Sequence, residues 1–104
     1  MRADFILGDA HGTACAPSAT RFVEQVLTGL NYGVRRNDPY AGGYVTRHYG
    51  RPREGIHALQ IEVARALYMD ECAIRPSAGM DVLKRNIGVL LGRMADTDWT
   101  FLKS

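Results

Sequence analysis

Residues 36–62 read Arg36-Asn37-Asp38-Pro39-Tyr40-Ala41-Gly42-Gly43-Tyr44-Val45-Thr46-Arg47-His48-Tyr49-Gly50-Arg51-Pro52-Arg53-Glu54-Gly55-Ile56-His57-Ala58-Leu59-Gln60-Ile61-Glu62, and their reading decides the fold. Glycine and proline punctuate the first part, which marks a long loop over about 37–55. From His57 to Val63 the pattern becomes that of a short strand. Strand geometry puts His57, Leu59, Ile61 and Val63 on one side, and Ala58, Gln60, Glu62 and Ala64 on the other. A carboxylate at an inward strand position must be paired, metal-linked or solvated in a cleft, because an isolated buried charge is very costly. A connecting loop also has no need of so many Asn, Tyr, Thr, Arg and His side chains. The loop and strand together read as one wall of an active site.

Working outward, Phe5-Ile6-Leu7 is an apolar run that stops at Gly8 and reads as a buried strand. Residues 8–13 form a turn-rich loop. Pro17-Ser18 starts a helix, with Ser18 the expected N-cap. Phe22, Val23, Val26, Leu27 and Leu30 follow at helical spacing, and Asn31-Tyr32-Gly33 stops the helix. Val34-Arg35-Arg36 is a second short strand. Residues 64–71 turn into a short helix, 75–79 are a break, and a last helix runs from about Asp81 to Ala95. Its apolar stripe is Leu83, Ile87, Leu90 and Met94. The order strand, helix, strand, loop, strand, helix predicts an α/β layer with helices packed on a sheet.

The chain has 104 residues, 46% of them apolar, which predicts a single domain with a real core. A net charge of +2 gives no argument for nucleic acid or a membrane surface. No segment reaches the roughly 20 apolar residues that span a bilayer. Cys15 and Cys72 lack the spacing of a zinc ribbon, and without a secretion signal both are expected reduced in the cytoplasm. A disulfide between them stays open. Three short strands make a small sheet, so the chain is expected to be the C-terminal part of a larger domain, with self-association or a missing N-terminal half as partner.

Each candidate has a plain alternative. Glu62 reads as a general base or acid lining a pocket, or as the partner of Arg65 or Arg47. Gln60, on the same face, either orients Glu62 or binds a substrate amide. Gly42 and Gly43 permit positive φ and close backbone approach to a ligand, or make an ordinary turn. Arg47 has the fork that grips a carboxylate bidentately, or is a surface arginine. His48 lies at the functional end of the loop. His57 reads as a satisfied core residue and His11 as a surface one. None of the histidines has the spacing of a helical metal site.

Leu7-Gly8-Asp9, Gly12-Thr13-Ala14-Cys15, Asn37-Asp38-Pro39-Tyr40-Ala41-Gly42-Gly43-Tyr44, Thr46-Arg47-His48-Tyr49-Gly50 and His57 through Glu71 come in an order that resembles the N-formylglutamate amidohydrolases. The resemblance covers about residues 4–72. It implies a zinc-dependent, carboxypeptidase-like (phosphorylase/hydrolase-like) α/β fold with a mixed sheet. It further implies hydrolysis of N-formyl-L-glutamate to formate and L-glutamate in histidine breakdown. Glu62 would be the general base. Arg47 and Arg65 would hold the substrate carboxylates, and Asn37 with Gly42-Gly43 would shape the pocket. The family's zinc ligands are expected in segments upstream of the first strand, so no metal ligand is assigned here. The competing reading is a non-catalytic module that binds a small carboxylate or a partner.

Overall fold

The computed structural model describes residues 3–102. β1 (Phe5–Gly8) is the centre of a mixed sheet of order β2-β1-β3. It pairs in parallel with β2 (Val34–Arg36), Phe5 opposite Val34 and Leu7 opposite Arg36. A parallel pair needs a crossover, which α1 (Pro17–Gly29) provides. On its other side β1 pairs antiparallel with β3 (Gln60–Val63), with Ile6 opposite Glu62 and Gly8 opposite Gln60.

Strand parity divides the sheet's two faces. Phe5 and Leu7 point to one face, where they form the core with Val23, Val26 and Leu27 of α1 and Leu83 and Leu90 of α3 (Gly79–Asp96). Ile87 and Met94 pack at its margin, so the stripe expected on the last helix is the one buried. The Tyr32 ring meets Phe5 edge-on, with centroids 4.9 Å apart, and its hydroxyl accepts the Asn86 side-chain N–H at 2.7 Å. That bond fastens α3 to the end of α1. Arg36 of β2 forms a half-buried ion pair with Glu24 of α1. Ile6, Gln60 and Glu62 project from the opposite face, which is crossed by the backbone around Gly42.

Several boundaries differ from expectation. Pro17, not Ser18, opens α1: it is the first helical residue after Ala16, and no side chain caps that end. Proline suits this position because its fixed φ is helical and its missing N–H has no partner to lose. Asn31 takes the left-handed conformation at the helix end, φ 71°. β3 begins only at Gln60, because His57 and Ala58 bond to the β1–α1 loop instead. Ala58 N–H donates to Ala14 O at 2.9 Å, and His57 Nδ1 accepts Ala16 N–H at 3.0 Å. His57 is therefore a satisfied histidine.

The long loop contains a helix, α2 (Tyr44–Tyr49), and a single 3-10 turn at Pro52–Glu54. In place of a helix over 64–71, there is a 3-10 turn at Arg65–Leu67 and a hairpin of β4 (Met69–Asp70) with β5 (Arg75–Pro76). α3 starts at Gly79, ahead of Asp81, where a Cβ would lie 2.2 Å from Leu67 O. Among the described residues no helix is long and apolar enough to cross a membrane.

Candidate active site

The end of β1 carries a tight backbone crossing. A Cβ at Gly8 would lie 2.6 Å from Gly42 N and 2.7 Å from Ala41 C, so only glycine lets the loop pass there. Ala10 N–H donates to Ala41 O at 2.7 Å and holds the crossing. Gly42 has φ 112°, open to glycine and strained for other residues.

From this crossing a hydrogen-bonded chain leads to the candidate base. Gly43 N–H donates to Gln60 Oε1 at 2.8 Å, and Gln60 Nε2 donates to Glu62 Oε1 at 2.8 Å. Glu62 is half-buried and its second oxygen has no partner among the described residues. It faces a cleft of about 450 Å³ shared with Asp4, Ile6, Tyr40, Arg65 and Glu71. Arg65 Nε lies 3.9 Å from Glu71 Oε1, a largely exposed pair with little holding power. The structure thus brings Gly42, Gly43, Gln60, Glu62 and Arg65 into one neighbourhood.

Arg47 and His48 lie apart from that cleft. They occupy exposed positions on α2, where the His48 ring stacks on Tyr44 at 5.0 Å and meets Tyr49 edge-on at 4.7 Å. Asn37, with φ 56°, turns toward the β1–α1 loop. Its Nδ2 donates to Asp9 Oδ1 at 2.8 Å, while its Oδ1 accepts Asp9 N–H at 3.1 Å.

Asp9 is a residue that the sequence reading did not single out. It is 3% exposed. Thr20 Oγ1 donates to its Oδ2 at 2.8 Å, and Gly12 N–H donates to its Oδ1 at 2.9 Å. Burial pushes the carboxyl up, but hydrogen bonds from Asn37, Thr20 and Gly12, with the nearby Arg36 charge, outweigh it and hold Asp9 below the usual range. The available signal was a carboxylate between glycines directly after a buried strand. Cys15 is buried, which pushes its thiol up and argues against a thiolate nucleophile. Both cysteines are free.

The family resemblance implies zinc, and the donor set can be tested against it. Among the described residues, no group of three or more His, Cys, Asp or Glu side chains is placed to hold a metal ion. His57 Nδ1 is already an acceptor for backbone, and Asp9 spends its oxygens on Asn37, Thr20 and Gly12. A catalytic zinc needs three protein ligands, so the residues present do not fit one.

Comparison with known proteins gives the class to which this mixed α/β sheet, with its strand-borne carboxylate beside a glycine crossing, belongs: the amidohydrolases. The family model for N-formylglutamate amidohydrolase matches residues 1–69, and the chain belongs to that family. An N-formylglutamate deformylase of Pseudomonas aeruginosa is 41% identical over 71 residues, 67% of this chain and 27% of that protein. One from Pseudomonas putida is 39% identical over 69 residues, 65% of this chain and 26% of that protein. The crystal structure of N-formylglutamate amidohydrolase from Ralstonia eutropha JMP134 superposes with TM-score 0.88 at 42% identity, covering 91% of this chain and 34% of that one. The chain therefore spans about a quarter to a third of the length of these relatives, by the 27%, 26% and 34% covered.

Proposed function

We propose that this chain supplies the proton-transfer and substrate-gripping part of an enzyme that hydrolyses N-formyl-L-glutamate to formate and L-glutamate. One observation carries the reading: Gln60 holds one oxygen of Glu62 and leaves the other open to the cleft that Arg65 also lines. Glu62 takes a proton from water as the water oxygen adds to the formyl carbon. It returns that proton to the amide nitrogen as the C–N bond breaks, releasing formate and the free amine. Arg65, freed from its loose pair with Glu71, engages a substrate carboxylate, whereas Arg47, exposed on α2 and apart from the cleft, is not assigned to it. Asn37 and the Gly42-Gly43 crossing shape the pocket, and His48 lies beside Arg47 on α2.

Zinc belongs to this reading only as a group held by residues outside these 104, since those present do not fit it. Self-association, or pairing with a polypeptide like the unmatched part of the relatives, is proposed on the exposed side chains of α2, Tyr44, Val45 and Tyr49. The proposal places the protein in the cytoplasm. The shortage of metal donors favours the second reading, a non-catalytic module that binds a small carboxylate.

Formate release from N-formyl-L-glutamate is measured with the chain alone and with the remaining two-thirds of the Ralstonia relative, alongside elemental zinc. Turnover that falls about 10²-fold or more in Glu62→Gln supports the base. Turnover that survives Glu62→Gln rules it out. No turnover in either mixture, with N-formylglutamate still bound, leaves the binding module.

A further inference from the structure

Gln60 stands between two parts of the site with both ends of its side-chain amide engaged. Its Oε1 accepts Gly43 N–H and its Nε2 donates to Glu62 Oε1. The two ends are not interchangeable. A backbone N–H only donates and an ionised carboxylate only accepts, so a single orientation of the amide serves both. Among other side chains, glutamate at this position would keep the acceptor and lose the donor, and leucine would lose both.

Gly43 is also the residue from which α2 starts, in extended conformation with φ −95° and ψ −161°. The loop ahead of it is fixed to the β1 end through Ala41. Gly43 N–H is then the tie between the start of α2 and β3.

We propose that Gln60 is a positioning residue: it locks the α2 loop to Glu62 and leaves Glu62 Oε2 as the oxygen that handles the proton. The catalytic consequence rests on the reading of Glu62 as the base; the lock itself does not. The lock uses one of the two Nε2 hydrogens and one of the two Oε1 lone pairs of the amide. The segment bearing Arg47 and His48 and the strand bearing Glu62 become one hydrogen-bonded unit.

The test is NMR on the isotopically labelled 104-residue chain, without metal or substrate. In the unmodified chain, the Gln60 side-chain amide protons are expected to shift with pH at the midpoint of the Glu62 carboxyl carbon. Asp4 and Glu71 share the cleft, and their own carboxyl carbons separate their titrations from that of Glu62. Gln60→Leu is expected to speed Gly43 amide exchange about tenfold, the loss of one net hydrogen bond. Gln60→Glu restores much of the Gly43 protection without restoring the donor to Glu62. Gln60 protons that ignore the Glu62 titration overturn the proposal, and this measurement needs no variant to fold. Unchanged Gly43 exchange in a folded Gln60→Leu chain overturns it equally. Formate release that survives Glu62→Gln would remove the base and leave the lock standing, so the two failures are distinguishable.

Discussion

Replacing Asp9 with alanine is expected to cost about 4 kcal/mol, and replacing it with asparagine about 1–2 kcal/mol. The difference follows from the donors around the carboxylate. Asp9 Oδ1 receives Gly12 N–H at 2.9 Å and Asn37 Nδ2 at 2.8 Å, and Oδ2 receives the Thr20 hydroxyl at 2.8 Å. Thr20 is 0% exposed, so alanine at position 9 leaves its hydroxyl only the weak sulfur partner Cys15, a loss of about 2 kcal/mol. Gly12 and Asn37 are partly exposed and recover some hydration, so each adds about 1 kcal/mol. Asparagine keeps an oxygen for Gly12 and Asn37, and its Nδ2 can donate to a Thr20 hydroxyl turned to accept. Only the charge assistance is lost. Urea unfolding followed by far-UV circular dichroism measures both, with an unchanged m-value marking a true stability effect. Equal costs for the two variants, or less than about 1 kcal/mol for alanine, would refute the reasoning. The pH dependence has a fixed sign. Asp9 is held below the ordinary carboxylate range in the folded chain, so its contribution is present above the unfolded value and is lost as pH falls through the folded one. The wild-type chain should lose stability below about pH 4, and Asp9→Asn should flatten that acid limb.

The remaining predictions concern packing. Gly8→Ala places a Cβ 2.6 Å from Gly42 N, a backbone atom that cannot swing aside, and should cost about 3 kcal/mol while raising Ala10 amide exchange. Leu90→Ala, at a position 2% exposed, should cost about 2–5 kcal/mol in thermal or urea unfolding. Leu91→Ala, at 58% exposed, should stay within about 0.5 kcal/mol, and equal costs at the two positions would mean that α3 presents a different face.

The elements legible in the sequence were those whose own side chains are buried on one face. Phe5 and Leu7 mark β1, the spacing of Val23, Val26 and Leu27 marks α1, and Leu83 and Leu90 mark α3. α2 was not legible. Its Tyr44-Val45-Thr46-Arg47-His48-Tyr49 is rich in β-branched and aromatic residues with low helix propensity, and it follows tandem glycines. Only Thr46 of this helix is buried, so no apolar stripe announces it. The start of β3 was misplaced because His57 and Leu59 continue the alternation, although the Ala58 backbone bonds to Ala14 and the His57 ring to Ala16. Asp9 escaped notice for a different reason. A short carboxylate beside glycine reads as a turn residue, and its partners Thr20 and Asn37 stand 11 and 28 positions away. Distant hydrogen bonds of that kind leave no local pattern. Gln60 and Glu62 were legible because polar residues two apart in an apolar strand share a face.

That shared face is itself a product of core packing. Phe5 and Leu7 must face α1 and α3, which turns Ile6 to the other side of the sheet. Glu62 is opposite Ile6 in the register, and Ala64 N–H donates to Asp4 O at 2.9 Å to hold it there. A slip of β3 by one residue would turn Glu62 toward Val23 and Leu27 and expose Val63. An unpaired carboxylate in that apolar layer is far costlier than the loss of one strand bond, so the slipped register is excluded by burial alone. The same parity that fills the helix side therefore aims Gln60 and Glu62 at the Gly42-Gly43 crossing. Substitutions at Phe5 or Leu7 are accordingly expected to disturb the Gln60–Glu62 bond before any residue of the cleft is changed.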